Sequence, residues 1–304
     1  NIEGYMSLKV SVIIPTYGRA SLIGRAIESV ISQKHEDIEV IIIDDNSDEN
    51  ISLETKKIVD SFSYHPAVKY YKNESNIGGS LSRNAGISKS EGDFIAFLDD
   101  DDYFLEDKIS RQLKFLVDGG YDVTLSDMFV EDENGKRLEK IHSAQCAGIG
   151  DFIVRGVALT PMIIARRDCV LDVGMFDDTP RFQDHIFMLK LLKHQARVGV
   201  LNEPLAVHYE HSGHRITNSD KSFSGYMLRM KMEETLFPFL STNELSSAKF
   251  KHATLKSKII TDQKNTFAGV IYLLKKIHLI RTCYDFNLFF RNLVRNIFFR
   301  NYRF

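Results

Sequence analysis

Residues 94–104 read FIAFLDDDDYF, an apolar run of five residues followed at once by four aspartates. Such a short, continuous apolar run is typical of a strand that is covered on both faces. Three similar runs precede it at 10–14 (VSVII), 40–43 (VIII) and 68–71 (VKYY), and helix-period segments separate them. Because strands alternate with helices, the pattern predicts an α/β fold with a mostly parallel, Rossmann-like sheet flanked by helices.

Beyond residue 120 the pattern is less regular. It predicts strands at 123–130, 162–165 and 198–200 and a helix at 184–193. Residues 221–304 lack strand alternation and show helix-like stretches at 223–236, 244–261 and 266–280. We therefore expect an α/β domain over 1–220 and a helical appendage over 221–304.

The composition bounds the class of protein. The 304 residues include 39 Lys and Arg against 41 Asp and Glu, and 43% are apolar, which is typical of a folded globular chain and gives no general reason to expect nucleic acid as a partner. The three cysteines, Cys146, Cys169 and Cys283, form no disulfide framework or zinc pattern.

No uncharged apolar run reaches the roughly 18 to 20 residues of a membrane span, and the first residues lack the apolar stretch of a signal peptide. We expect a cytoplasmic protein.

The four adjacent carboxylates Asp99, Asp100, Asp101 and Asp102 are the most specific chemical feature. Side by side they repel one another, so a bound cation would stabilise them, and their hard oxygen ligands suit Mg²⁺ or Mn²⁺. The carboxyl ends of strands in an open parallel sheet are also where ligands bind. The alternative is a solvated acidic turn, but the position directly after a core strand favours a metal site.

Two further motifs belong at the same sheet edge. Asp44 and Asp45 follow the run VIII, and they either cap a helix or join the acidic turn in one site. Residues 76–87 (NIGGSLSRNAGI) place Gly78 and Gly79 at a helix start, where paired glycines let backbone approach a ligand closely, with Arg83 about one turn inside. The chain shows neither GxGxxG after its first strand nor GxxxxGK[ST], which argues against a dehydrogenase or a P-loop enzyme.

Four motifs in this order, VSVIIPTYGR (10–19), VIIIDDNSDEN (40–50), NIGGSLSRNAGI (76–87) and FIAFLDDDDYF (94–104), resemble the family 2 glycosyltransferases of GT-A fold. The resemblance implies that Asp45 accepts a hydrogen bond from the nucleotide base, with uracil favoured over thymine or guanine. It implies that Asp101 and Asp99 match the two acids of the family's DXD motif and bind the metal, with Asp99 and Asp100 toward the ribose and the metal shell. The remaining donor-binding residues that it implies are Pro15, Thr16, Tyr17, Arg19, Gly78 and Arg83.

The resemblance continues at residues 181–191 (RFQDHIFMLKL), where the family carries Glu-Asp before an apolar helix. Here the pair is Gln183 and Asp184, and Asp184 matches the family's catalytic base. An acid at a helix start is stabilised by the helix dipole, so a plain helix cap is the alternative. Gln183 in place of Glu puts the supporting role of that position in doubt.

Residues 208–217 (HYEHSGHRIT) contain three histidines, His208, His211 and His214. A zinc site is one interpretation, but no fourth ligand at a usual spacing is evident. The stretch resembles the family's late His and Arg-Ile-Ser/Thr loop, which folds over the donor diphosphate. The resemblance implies that His211 completes the metal shell and that Arg215 clamps phosphate.

The C-terminal stretch is basic and aromatic. From Lys275 to Phe304 there are seven Lys and Arg, one acid and eight aromatics, and residues 285–304 read DFNLFFRNLVRNIFFRNYRF. As a helix this segment has a broad apolar side, which suits the inner-leaflet surface of a membrane through 284–304. Packing on the catalytic domain or on another subunit of a homo-oligomer is the alternative, and RNA binding lacks a recognition module.

Together these features predict an inverting, metal-dependent glycosyltransferase with Mn²⁺ or Mg²⁺ as cofactor. It would move one sugar from a nucleotide-diphosphate sugar, with UDP as the favoured nucleotide, to a hydroxyl of a glycan or lipid-linked oligosaccharide in cell-surface polysaccharide synthesis. The chain has no tryptophan and therefore lacks the QxxRW motif of processive synthases. The alternatives are a nucleotidyltransferase and a non-catalytic binding protein that keeps the fold.

Overall fold

The computed structural model describes residues 8–142, 148–179, 181–210, 221–263 and 266–298. The chain divides into two compact units. The sheet unit takes the described parts of residues 1–146 and 157–216, and the helical unit takes those of 147–156 and 217–304. This division follows compactness alone, and a functional boundary at residue 220 stays a prediction.

The described residues of the sheet unit form one nine-stranded sheet. Its strands are β1 (Val10–Thr16), β2 (Ile38–Asp44), β3 (Val68–Lys72), β4 (Phe94–Phe97), β5 (Tyr103–Phe104), β6 (Val123–Glu131), β7 (Arg137–Ile141), β8 (Ile163–Arg166) and β9 (Val198–Tyr209). The spatial order is β3-β2-β1-β4-β8-β6-β9-β5, with β7 on β6.

The described residues also form eleven α-helices. They are α1 (Ala20–Ile31), α2 (Glu49–Asp60), α3 (Gly78–Lys89), α4 (Lys108–Asp118), α5 (Ile149–Arg155), α6 (Arg167–Asp172), α7 (Gln183–Lys193), α8 (Lys221–Glu234), α9 (Thr242–Gln263), α10 (Thr266–Leu274) and α11 (Cys283–Phe298). Helices α5 and α8 to α11 belong to the helical unit. None of the helices that the described residues form is both long and apolar enough to cross a bilayer.

The first half of the sheet is parallel, as the sequence predicts. Strand β1 pairs in parallel with β2 and β4, and Ile13 faces Ile41 on one side and Phe97 on the other. These side chains are fully buried, which is why the runs are apolar without alternation. On the far side of β4 the pairing with β8 is antiparallel. The parallel arrangement brings the ends of β1, β2 and β4 to one edge of the sheet.

The chain beyond residue 120 is less predictable from sequence. Strand β9 runs for twelve residues, whereas the sequence predicts a strand only over 198–200. It stays in the sheet because it pairs with β6 and with β5. Its length was not predicted because Asn202 and Glu203 interrupt its apolar pattern. The short elements β5, β7, α5 and α6 were not predicted. The longer β9 matters because it carries His208 and Tyr209 to the acidic turn.

The helical unit packs around α9. Its core contains Phe250 of α9, Leu273 of α10 and Phe289 of α11. Gly269 of α10 lies so close to α9 that an added Cβ would meet the carbonyl oxygen of Ser257 at 2.8 Å. Glycine at this position is therefore what allows the two helices to approach each other.

Lys108 at the start of α4 is fully buried and has neutral partners. Its Nζ donates to Gln112 Oε1 at 2.6 Å and to Ser126 Oγ at 3.3 Å, and burial lowers its pKa to about 7. In the unfolded chain the lysine pKa is near 10.5. At a pH between about 7 and 10.5 the unfolded chain therefore binds more protons than the folded chain, and the stability of the fold rises with pH. We expect thermal melting to shift upward between pH 7 and pH 9, and Lys108→Met to reduce this slope.

The exposed Lys57→Met serves as the control, since its charge is solvated in both states. A second lysine, the half-buried Lys251, whose pKa burial also lowers to about 7, adds to this slope, whereas His208, whose pKa is raised to about 9, opposes it. An unchanged slope in Lys108→Met, measured by calorimetry, would contradict the prediction.

Candidate active site

The acidic turn Asp99–Asp102 follows β4 at the edge of the parallel half. Leu98 N donates to Ile13 O at 3.1 Å, and Asp102 N donates to Asp99 O at 3.1 Å, which closes the turn. Carboxylate oxygens of Asp99, Asp101 and Asp102 all lie within 4.8 Å of one another. Three hard oxygen ligands at this spacing can hold a divalent metal ion.

Asp100 lies apart from that trio. Its side chain is fully buried, accepts a hydrogen bond from the backbone N–H of Tyr17 at 3.2 Å and pairs with Arg19 Nη2 at 2.6 Å. Arg19 also pairs with Asp101 through its other terminal nitrogen. Asp100 therefore fixes the loop after β1, whereas Asp102, to which the family resemblance assigned no role, joins the candidate metal ligands.

The acids of the turn differ in their affinity for protons. Burial raises the pKa of Asp100 to about 7, although Arg19 opposes the shift. Burial also raises the pKa of Asp102 to about 6, with His208 opposing. For Asp99, burial opposes ionisation, but Arg83 and Arg19 hold its pKa below the ordinary value. A cation at the turn would favour the ionised form of all of them.

His208 supports Asp102 from the end of β9. Its Nδ1 lies 2.9 Å from Asp102 Oδ1, which also accepts the backbone N–H of Tyr209 at 3.1 Å. Although burial opposes protonation of the imidazole, the Asp102 carboxylate raises the pKa of His208 to about 9. His208 thus holds one acid of the turn, while its predicted neighbours His211 and Arg215, like His214, lie outside the described residues.

Arg25 of α1 supports the turn from another direction. Its guanidinium lies 3.9 Å from the ring centre of Tyr209 and 4.9 Å from that of Tyr103, and it donates to the backbone carbonyl of Asp101 at 2.6 Å. Cation–π contacts of this kind favour a fixed guanidinium position. No pattern in the sequence indicated this contact, because it joins residues 76 positions apart.

The second acidic pair ends β2. Asp44 is fully buried and accepts from Asn46 N at 2.9 Å, so it organises the turn. Asp45 Oδ1 accepts from Ile77 N at 2.9 Å and Asn73 Nδ2 at 2.8 Å, and Asp45 Oδ2 accepts from Gly78 N at 2.8 Å. The predicted base-binding carboxylate therefore also holds the glycine loop at the start of α3.

Two of the predicted donor-binding residues, Gly78 and Tyr17, face open space. Gly78 has φ +83°, a conformation that favours glycine, and nothing lies within 4 Å of its missing Cβ. Of the loop residues, Thr16 is 1% exposed, Pro15 is half-buried within β1, and Tyr17 is 52% exposed. The Tyr17 ring is therefore the accessible surface of this loop for a planar ligand.

Arg83 links the acidic turn to the helix that carries Asp184. It is 4% exposed, pairs with Asp99, and donates from Nη1 to Gln183 Oε1 at 3.0 Å. Ser80 Oγ donates to the same Gln183 oxygen at 2.8 Å. Arg83 Nη1 thus has a neutral acceptor in Gln183, in addition to the charged acceptor Asp99. Because Arg83 is buried, it serves to link these residues more than to offer an exposed side chain to a ligand.

Asp184 occupies the first turn of α7 and is half-buried. Its Oδ1 accepts the backbone N–H of His185 at 2.7 Å. Phe182, the residue directly before the helix, has φ +60°, an uncommon left-handed conformation for a non-glycine residue. The helix begins at the next residue, Gln183. The contacts of Arg83 and Gln183 bring the start of α7, and with it Asp184, to the neighbourhood of Asp99.

Comparison with known proteins extends these observations. The chain is 41% identical to an uncharacterized glycosyltransferase of Rickettsia bellii over 140 residues, which are 46% of this chain and 20% of that protein. It is 28% identical over 199 residues to TuaG of Bacillus subtilis, a putative teichuronic acid biosynthesis glycosyltransferase, covering 65% of this chain and 77% of that protein. The chain spans only about a fifth of the length of the Rickettsia relatives that it matches.

A solved structure shares the fold. The crystal structure of S. aureus TarS 1-349 in complex with UDP-GlcNAc superposes with a TM-score of 0.67 at 20% identity, over 95% of this chain and 89% of that chain. This likeness confirms the GT-A-type fold expected from the sequence. A model of the family described as glycosyl transferase family 2 matches residues 11–171, just over half of the chain, and the chain therefore belongs to that family.

Proposed function

We propose that the protein is an inverting glycosyltransferase that moves one sugar from a nucleotide-diphosphate sugar to an acceptor hydroxyl. The observation that carries the proposal is the acidic turn after β4, with three carboxylates in reach of one ion, tied through Arg83 and Gln183 to the helix start that bears Asp184. Family membership favours glycosyl transfer over the alternative of a nucleotidyltransferase.

The donor set suits a divalent cation. Asp99, Asp101 and Asp102 offer carboxylate oxygens, which Mg²⁺ and Mn²⁺ prefer. Arg25 holds the backbone carbonyl of Asp101, and His208 holds the carboxylate of Asp102. When bound, the ion would neutralise charge that develops on the departing diphosphate. Arg215 as a phosphate clamp and His211 as a further ligand remain part of this proposal.

For the nucleotide we propose a UDP-linked donor between the β1 loop and Asp45. Three hydrogen bonds to Asp45 leave part of its acceptor capacity for a base N–H, since a carboxylate has about four lone-pair sites. The exposed ring of Tyr17 offers a surface for a planar base. The similar fold of TarS, solved with UDP-GlcNAc, supports this choice of nucleotide.

In the proposed reaction Asp184 acts as general base. Its carboxylate takes the proton of the acceptor hydroxyl while that oxygen attacks the anomeric carbon. The bond from this carbon to the diphosphate oxygen breaks with its electron pair, and attack from the opposite face inverts the configuration. Arg83 keeps Asp99 ionised and holds Gln183, so that the residue next to the base stays in place.

We propose a glycan or lipid-linked saccharide in cell-surface polysaccharide synthesis as the acceptor. Support comes from the relative named for teichuronic acid biosynthesis in Bacillus subtilis.

The decisive experiment incubates the protein with a panel of UDP-, GDP- and dTDP-sugars and measures release of the nucleoside diphosphate. We expect slow hydrolysis of one UDP-sugar in Mn²⁺ or Mg²⁺ and its loss in EDTA, because water replaces the acceptor hydroxyl. If no nucleotide sugar is hydrolysed and none raises the melting temperature in the presence of metal, the proposed function is wrong.

A further inference from the structure

Helix α11 carries apolar side chains on two neighbouring faces, one buried and one exposed. On the inner face Phe289 is 7% exposed and packs with Phe250 and Leu273 in the core of the helical unit. On the outer face four large apolar residues, which we call the α11 stripe, are 55, 46, 43 and 49% exposed: Phe286, Phe290, Val294 and Ile297. Their spacing of four, four and three residues aligns them along the helix. The core of the helical unit thus takes Leu288, Phe289 and Leu293 from this helix and leaves the α11 stripe exposed.

Exposed apolar residues concentrate in the helical unit. Of the nineteen large hydrophobic residues that are exposed among the described residues, twelve lie in this unit, although it makes up only about a third of the chain. Helix α10 adds Phe267, Ile271 and Leu274, again at helical spacing. Contiguous exposed apolar surface of this kind marks an interaction site more often than chance exposure.

The exposed charge of α11 itself is positive. Asp285, the only acid of α11, is fully buried and accepts the backbone N–H groups of Arg281 and Thr282 at 3.0 Å and the hydroxyl of Ser247 at 2.7 Å. Arg291, by contrast, is exposed next to Phe290. Over residues 217–304 the sequence has fifteen Lys and Arg against six Asp and Glu. The partner of this surface should therefore be apolar at its centre and anionic at its rim.

We propose that α11 docks the helical unit on an anionic phospholipid bilayer, with the α11 stripe at the boundary of headgroups and acyl chains and Arg291 among the lipid phosphates. A helix with an exposed apolar stripe and basic residues beside it is suited to lie in such an interface. A second copy of the chain fits less well, because a two-fold contact would bring two basic surfaces together. The inference goes beyond sugar transfer and does not depend on it.

The test is co-sedimentation of the full chain with vesicles of phosphatidylcholine alone or mixed with phosphatidylglycerol, without nucleotide sugar. We expect binding to the anionic vesicles that weakens as salt is raised. Phe286→Ser/Phe290→Ser should lower the partition coefficient roughly tenfold or more, because the apolar area available for insertion is lost. Arg291→Glu should weaken binding most at low salt.

Matched controls are Leu53→Ser and Lys57→Glu on α2, since both residues are exposed but lie in the sheet unit, and both variants should bind vesicles as the unchanged chain does. Circular dichroism checks that the α11 variants are folded. Equal binding of the stripe variant and the unchanged chain, or no vesicle binding at all, would overturn the proposal. So would a dimer, seen by light scattering, that the same variant abolishes. Hydrolysis of the donor, measured without vesicles, should be unaffected, which separates this test from that of the proposed function.

Discussion

Replacing Asp184 by Asn should lower donor turnover by about 10² to 10⁴-fold, which is the usual contribution of a general base. The amide keeps the size and the hydrogen-bonding oxygen of the side chain but cannot take the proton of the acceptor hydroxyl. Affinity for UDP with metal should stay unchanged, because the proposed nucleotide contacts come from other elements. Steady-state release of UDP, together with calorimetric UDP binding, measures both quantities.

Asp48→Asn is the matched control for Asp184→Asn. Asp48 caps α2 and accepts the backbone N–H groups of Asn50 at 2.8 Å and Ile51 at 3.3 Å, so it represents an acid whose role at a helix start is structural. Asparagine caps helices about as well as aspartate, and turnover should stay near normal in this variant. Near-normal turnover in Asp184→Asn as well would mean that Asp184 is only a helix-start residue and that the base lies elsewhere.

Replacing Asp101 by Asn should remove most of the metal dependence of UDP binding. The variant loses one of three carboxylates that lie within 4.8 Å of one another, and also one of the two charges opposite Arg19. Since loss of a residue that merely supports a metal ligand typically costs about 10 to 100-fold in metal affinity, we expect a loss of roughly 100-fold or more here. Calorimetric titration of UDP at several Mn²⁺ concentrations gives the effect directly.

Asp93→Asn provides the comparison, because Asp93 is an exposed acid that flanks the same strand, β4, at its other end. It should leave the Mn²⁺ dependence of UDP binding intact. An Asp101→Asn protein that still binds UDP with the normal Mn²⁺ dependence would refute the ligand role. The two variants also differ from each other: Asp184→Asn should bind donor without turning it over, whereas Asp101→Asn should fail at the binding step.

The sequence predicted the parallel half of the sheet well because the signal there is local. Runs such as VSVII and FIAFL are buried on both faces, so their apolar character needs no knowledge of partners. The later half was less readable, as β9 shows: its pairing with β6 shifts register twice, and its polar residues break the apolar pattern. The alternation of apolar and polar residues that identifies a strand in a sequence is absent from β9, because pairing with neighbouring strands keeps β9 in the sheet in spite of its polar residues.

The sequence by itself determined the family, the strands of the parallel half and the position of the acidic turn at a strand end, since each depends on residues that are neighbours in the chain. Only the tertiary structure decided which aspartates face one another: it brings Asp102 together with Asp99 and Asp101, while Asp100 turns to the loop after β1. The side chains responsible, Arg19 and His208, lie 82 and 106 positions from the acids that they hold. Periodicity in a sequence reports on contacts a few residues apart, whereas the orientation of a carboxylate in a turn follows from charges that the fold brings to it.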